Sequence, residues 1–232
     1  MPLLDRVSRA LVIAPHADDD VLGCGGLMAK LAARGARVHV VFMTVDGFHH
    51  YGHAGTTSFQ ERVAEIEAVA AFLGFTWEIF YPDQDLIEKL DTLPRRDLVD
   101  RFEKLYNEHR PELLLLPSYV DYDQDHRRTF ETAFAAARPI APVFGKWLIP
   151  CVMAYEQTKL NFAWQDLPRP QAFVDISEQI AAKLESITLY RTQLRPVPHV
   201  RSLEAVEALA RIRGSEIGVD HAEAFQVFRA VL

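Results

Sequence analysis

Leu11-Val-Ile-Ala14 is apolar at every position and stops at Pro15, and Leu113-Leu-Leu-Leu116 is apolar throughout as well. A strand with one wet face alternates polar and apolar residues; a strand without a polar position must be covered on both faces. Helical patterns separate such runs. One goes from Leu22 through Leu31 and stops at Gly35, and Val38 to Met43 then reads as a second strand. Ser58-x-x-Glu61 is a capping box, followed by Val63, Ile66, Val69, Ala70 and Leu73 at helical spacing until Gly74. Trp77 to Tyr81 reads as a third strand, and a helix from about Arg95 to His109 leads into Leu113–Leu116, the fourth. Gln124 to Arg138 is helical again and ends near Pro139. Strand, helix, strand, helix implies an α/β fold whose mostly parallel sheet carries helices on both faces.

The C-terminal third is less regular. Ile149 to Tyr155 and Phe173 to Ile176 read as further strands, Ser177 to Gln193 as a helix, and Pro168, Pro170, Pro196 and Pro198 as loops. Without a linker long enough to divide it, the chain reads as one domain over residues 1–232. Its 49% hydrophobic content suffices for a sizeable core and argues against disorder. A net charge of −7 disfavours nucleic acid and anionic membrane as partners, because both need concentrated positive charge. Two cysteines, Cys24 and Cys151, suit a reducing compartment rather than a disulfide framework. Asp5 interrupts the N-terminal apolar residues, so they do not read as a signal peptide, and no apolar run approaches the roughly 20 residues of a membrane span. These features point to a soluble, cytoplasmic protein.

The chemistry concentrates in Ala14-Pro-His-Ala-Asp-Asp-Asp-Val-Leu-Gly-Cys-Gly-Gly26, directly after the first strand, where open α/β sheets place their ligand crevice. His16 and three carboxylates, Asp18, Asp19 and Asp20, fall within five residues. Like charges so close need a cation to compensate them, and an imidazole with carboxylates suits Zn²⁺. The plainer reading is helix capping, for which one aspartate is enough. Gly23-x-Gly-Gly26 invites a nucleotide-binding reading, but its third glycine is displaced and the carboxylates before it would repel a pyrophosphate. Cys24 reads as a small buried residue.

Pro117-Ser-Tyr-Val-Asp-Tyr-Asp-Gln-Asp-His-Arg127 follows the fourth strand and opens at the same edge of a doubly wound sheet. His126 can therefore meet His16 and Asp19, with Asp121, Asp123 and Asp125 available to orient it from behind. The plainer alternative is an acidic loop capping the next helix. Asp46 to Thr57, with His49, His50 and His53, overhangs the crevice after the second strand and suits a substrate-lining loop; an ordinary polar loop or a second metal site is the alternative.

His16-Ala-Asp-Asp-Asp with Leu-Gly-x-Gly-Gly resembles the signature of the LmbE/PIG-L-like zinc-dependent N-deacetylases, and Asp123-Gln-Asp-His126 resembles their second signature. Arg62-x-x-Glu65 with Leu73-Gly74, Tyr81-Pro-Asp83, Lys183…Tyr190-Arg-Thr-Gln193 and Gly214…Ala222-Glu-Ala-Phe225 resemble weaker family elements in the same order. The resemblance implies a Rossmann-like fold and one Zn²⁺ held by His16, Asp19 and His126, with Asp18 the base that activates a metal-bound water. It also implies Arg62, Asp83, Asp123 and His53 on the substrate side, Asp20, Asp121 and Asp125 supporting the ligands, and a homo-oligomer. The reaction implied is removal of an acetyl group from an N-acetylated sugar, sugar nucleotide or glycoconjugate. Asp123 departs from the pattern, because many members carry a histidine there that helps to hold the oxyanion. An ionised carboxylate only accepts hydrogen bonds. That substitution keeps open a metal-dependent hydratase or amidase of a non-sugar metabolite, beside the non-hydrolytic nucleotide-binding module suggested by the glycines.

Overall fold

A computed structural model describes residues 3–45, 57–82, 86–139, 142–162 and 166–231. Seven strands, β1 (Arg9–Ala14), β2 (Arg37–Thr44), β3 (Thr76–Tyr81), β4 (Leu113–Leu116), β5 (Cys151–Tyr155), β6 (Ala172–Asp175) and β7 (Ala222–Ala230), form one sheet in the order β3-β2-β1-β4-β5-β7-β6. The first five are parallel, whereas β7 runs antiparallel to both β5 and β6. The mostly parallel sheet matches the expectation from sequence.

The apolar runs are divided between two cores, as two covered faces require. Ala10, Val12 and Ala14 of β1 join Leu113 and Leu115 of β4 on one side, packed under α1 (Asp19–Ala33), α2 (Phe59–Leu73), α5 (Ile180–Leu189) and α6 (Leu203–Ser215). Leu11 and Ile13 join Leu114 and Leu116 on the other, under α3 (Arg95–His109) and α4 (Gln124–Ala136). Elements whose ends carry local signals match the sequence closely. The capping box of α2 forms in both directions between Ser58 and Glu61, and Gly74 ends that helix in the left-handed conformation.

Other elements depart from it. The expected helix over Ser177–Gln193 is only Ile180–Leu189, and α6 and β7 fall where the sequence shows no clear pattern. α1 breaks at Cys24, whose φ of −145° is not helical. The break is filled from outside the helix. Glu223 of β7 accepts hydrogen bonds from the Gly26 and Leu27 amides, both at 2.8 Å, and Lys183 of α5 donates to Leu22 O at 3.0 Å and pairs with Glu223 at 2.6 Å. Each interrupted end of the helix thus gains the partner its backbone would otherwise lack.

Candidate functional site

The strand order reverses direction between β1 and β4: from β1 the chain winds outward to β2 and β3, then returns to β4 on the opposite side. Loops at the carboxyl ends of strands flanking such a switch point diverge and leave a crevice. β1 and β4 are hydrogen-bonded neighbours, Ala10 beside Leu113, so the loops carrying His16 and His126 open side by side.

Asp19 is the hub. Its Oδ2 lies 3.1 Å from His126 Nε2 and 3.5 Å from His16 Nδ1, and it accepts a hydrogen bond from the His16 amide at 2.9 Å. One donor atom from each of His16, Asp19 and His126 falls within 4.8 Å of the others, so the three predicted ligands come together. A second carboxylate stands behind each imidazole. Asp121 Oδ2 is 3.1 Å from His126 Nδ1, and Asp125 Oδ2 is 3.0 Å from His16 Nε2. Asp125 therefore supports His16 across the crevice rather than its sequence neighbour His126, and it is itself held by the Glu88 and Leu90 amides. Asp123 orients neither ring; it caps α4 through the Asp125 amide.

The electrostatics suit a bound cation. Burial alone would favour a neutral His16, yet Asp125 and Asp19 raise its pKa to about 10. Burial would likewise push Asp121 up, but His126 and Lys159 bring it down to about 2. Carboxylates that draw a proton onto His16 so strongly would stabilise a divalent ion in its place. Two imidazoles and a carboxylate, each braced from behind, are a donor set for Zn²⁺.

Asp18 differs from its neighbours. Its φ of 126° lies in a region that side chains disfavour, at a cost of roughly 1–3 kcal/mol. It occupies the N-cap of α1 without making a side-chain capping bond, and its buried Oδ2 has no hydrogen-bond partner among the described residues. Arg201 Nη1 stands 3.5 Å from that oxygen. Burial raises the Asp18 pKa, and Arg201 restrains the rise. A buried carboxylate with a free oxygen, held at a backbone cost, is equipped to take up a proton. Asp20 is less free: Tyr190 donates to it at 3.3 Å, and burial lifts it to about 7.

Arg62 corrects the expectation of substrate contact. Its guanidinium is buried and donates to Ala17 O, to Glu65 at 2.6 Å and to Thr192 at 2.8 Å, so it braces the 17–20 loop from behind. The glycines likewise serve packing. A Cβ on Gly23 would run into the Tyr155 ring, and one on Gly26 would come within 2.8 Å of Ile176, so the run lets α1 approach its neighbours closely. Asp83, His49, His50 and His53 lie outside the described residues.

Three further site residues escaped the sequence reading. Gln157 donates to Asp19 Oδ1 at 3.0 Å, Lys159 Nζ lies 2.9 Å from His126 Nε2 and 3.4 Å from Asp121, and Arg201 faces Asp18. A signal for the first two existed. A parallel fifth strand must open its loop onto the same crevice, and Glu156-Gln157-Thr158-Lys159 follows β5 directly.

Residues 11–137 match the family described as PIG-L: GlcNAc-PI de-N-acetylase. The chain belongs to that family. It is 26% identical over 190 residues to the uncharacterized deacetylase YaiS of Escherichia coli K12, covering 78% of this chain and 90% of that one. Among solved structures, the N,N'-diacetylchitobiose deacetylase of Pyrococcus horikoshii is similar over 97% of this chain and 85% of its own, at 26% identity and a TM-score of 0.71. GalB, the 4-carboxy-2-hydroxymuconate hydratase of Pseudomonas putida KT2440, shares the fold over 97% and 98% of the two chains, at 24% identity and a TM-score of 0.78. By its family and its deacetylase relatives, GalB apart, the chain is an enzyme of the N-deacetylase class. Among the described residues, no helix is long and apolar enough to cross a membrane.

Proposed function

We propose that the chain is a zinc-dependent N-deacetylase of an N-acetylated amino sugar, sugar nucleotide or related glycoconjugate, with His16, Asp19 and His126 as metal ligands and Asp18 as general base. The observation that carries this reading is the meeting of those three donors, each histidine braced by a carboxylate, beside a buried Asp18 oxygen without a hydrogen-bond partner. Zn²⁺ in this position would acidify a water at its open coordination site and polarise an amide carbonyl. Asp18 takes the proton from the attacking water and returns it to the departing amine, which leaves acetate and the free amino sugar. Asp121 and Asp125 hold the two imidazoles in orientation throughout.

Asp123 cannot donate to an oxyanion, and its carboxyl lies below the ordinary range because His126, His16 and Lys159 outweigh its burial. Lys159 supplies the missing donor. Its ammonium is kept charged by Asp19, Asp121 and Asp123 against the effect of burial, and it stands 3.9 Å from Asp123. The seven-stranded sheet draws strands from both halves of the chain, which supports one domain over residues 1–232. The two buried free cysteines support a cytoplasmic setting, and family analogy supports a homo-oligomer.

The test is acetate release from a panel of N-acetylated sugars and sugar nucleotides, by protein of known metal content. Release that a chelator abolishes and Zn²⁺ restores, and that falls about 10²–10⁴-fold in folded, metal-loaded D18N, is the expected result. Bound metal with no acetate from any sugar would sink the sugar reading. Asp123, where family members often carry a histidine, would then favour hydration or amide cleavage of a non-sugar metabolite; GalB is named a hydratase.

A further inference from the structure

The opposite edge of the sheet carries a second group of metal donors that the proposed reaction does not use. His39 lies near the start of β2, Glu78 lies on β3, and His109 is the last residue of α3. The register pairs His39 with Thr76 and Val41 with Glu78, so His39, Glu78, Val41 and Phe80 project from the same face of the sheet. On that face Val41 and Phe80 are core, and His39 and Glu78 form its polar rim at the amino ends of the strands. Arg110, in the left-handed conformation at φ 47°, ends α3 and leaves the His109 ring stacked on that of His39 at 4.3 Å.

We propose that His39, Glu78 and His109 form a second divalent-metal site, suited to Zn²⁺, at the amino edge of the sheet. One donor atom of each lies within 4.8 Å of the others. Donors about 2.0–2.1 Å from a tetrahedral ion stand roughly 3.3–3.4 Å apart. His39 Nε2 and Glu78 Oε1 are 3.3 Å apart, already at that spacing. His109 Nε2 and Glu78 Oε1 are 3.9 Å apart, too far for a hydrogen bond, and the His109 ring must turn out of its 24° stack on His39 for both imidazoles to address one ion. His39 is oriented from behind: its Nδ1 is 2.8 Å from the Thr76 hydroxyl, which leaves Nε2 turned toward Glu78. A metal-binding histidine commonly has such a partner on its other nitrogen.

Three protein ligands leave a tetrahedral ion one open position. A cavity of about 420 Å³ lies beside the two histidines, its lining including His39, Thr76, His109, Glu108 and Arg37. The fourth ligand would be an exchangeable water or small anion.

Zinc stoichiometry of the full chain, measured by equilibrium dialysis and metal analysis, tests the site. The expected result is that H39Q/H109Q binds one equivalent fewer than the wild type, that H126A retains an equivalent, and that H39Q/H109Q/H126A binds none. The difference between wild type and H39Q/H109Q is independent of what the crevice binds, so this test and the acetate assay fail separately. E78Q, at a part-exposed position on an edge strand, supplies a second reading if the double variant does not fold: its zinc affinity at this site should drop at least about tenfold, by analogy with loss of a supporting partner. Unchanged stoichiometry in H39Q/H109Q, unchanged affinity in E78Q, or no zinc on H126A would each overturn the proposal and leave a hydrogen-bonded His–Glu pair under a stacked ring.

Discussion

The two edges of the sheet carry the same donor types, two imidazoles and one carboxylate, in opposite surroundings. In the crevice the Asp19 and His126 side chains are 3% and 1% exposed, and a carboxylate stands behind each ring. His16, at 18%, is as open as His39, so the contrast lies in the carboxylate and in the second histidine, His109 being 29% exposed. At the amino edge His39 is 15% and Glu78 40% exposed, and a single threonine hydroxyl is the support. Charges held out of water and braced on every side are costly to assemble and strong toward a cation; solvated ones are cheap to assemble and weaker. On the proposed readings, the crevice would hold a catalytic ion tightly, and the amino edge would hold a weaker, exchangeable one.

The contrast is broken most severely at the support of the crevice. Lys183 and Glu223 are both buried, and their pair fills the break in α1, the helix that begins at Asp19. K183M leaves the Glu223 charge alone in the interior and should cost about 3–5 kcal/mol in chemical unfolding, part of which K183M/E223Q should recover. A loss below about 1 kcal/mol would show that the crevice does not depend on this pair.

The next effect compares the outer supports. D125N removes the charge behind His16 and should weaken metal binding in the crevice about 10–100-fold in competition dialysis, whereas T76V should weaken the amino-edge site by less. Equal losses would erase the distinction between a charged, buried support and a neutral, exposed one.

The smallest effect belongs to the amino edge. Glu112 accepts from the Ser8 amide and hydroxyl at 2.6 and 2.9 Å and pairs with Arg9 at 2.8 Å, tying the starts of β1 and β4 together. Burial works against its ionised form, but Ser8 and Arg9 prevail and hold its carboxyl below the ordinary value. A depressed folded-state pKa contributes stability above the unfolded pKa of about 4.3, lost as pH falls through the folded one. The wild type should therefore lose up to about 1 kcal/mol on that acid limb, and E112Q should show a flatter limb in urea titrations at pH 5 and below.

Much of this architecture was legible in the chain. The α3 helix, Arg95–His109, and β4, Leu113–Leu116, agree with the sequence to the residue, and the Ser58 box and Gly74 mark α2 at both ends, because periodicity and caps act within a few residues. The candidate ligands were legible for a related reason: His16, Asp19 and His126 follow two wholly apolar strands, and the switch-point rule then makes their loops neighbours. Arg62 was legible as a motif but not as a brace, because its partners Ala17 and Thr192 are distant in sequence.

What the sequence alone determined, then, is the parallel core, the crevice edge and the residue types within it, since each depends on local pattern or on a general rule of winding. Tertiary structure alone decided the rest: that Asp125 supports His16 and not His126, that Lys159 and Arg201 bring positive charge to the aspartates, and that β7 enters antiparallel between β5 and β6 with Glu223 placed to mend α1. These pairings join groups far apart in the chain, and only the packed fold brings one of several equally charged candidates within reach of each partner.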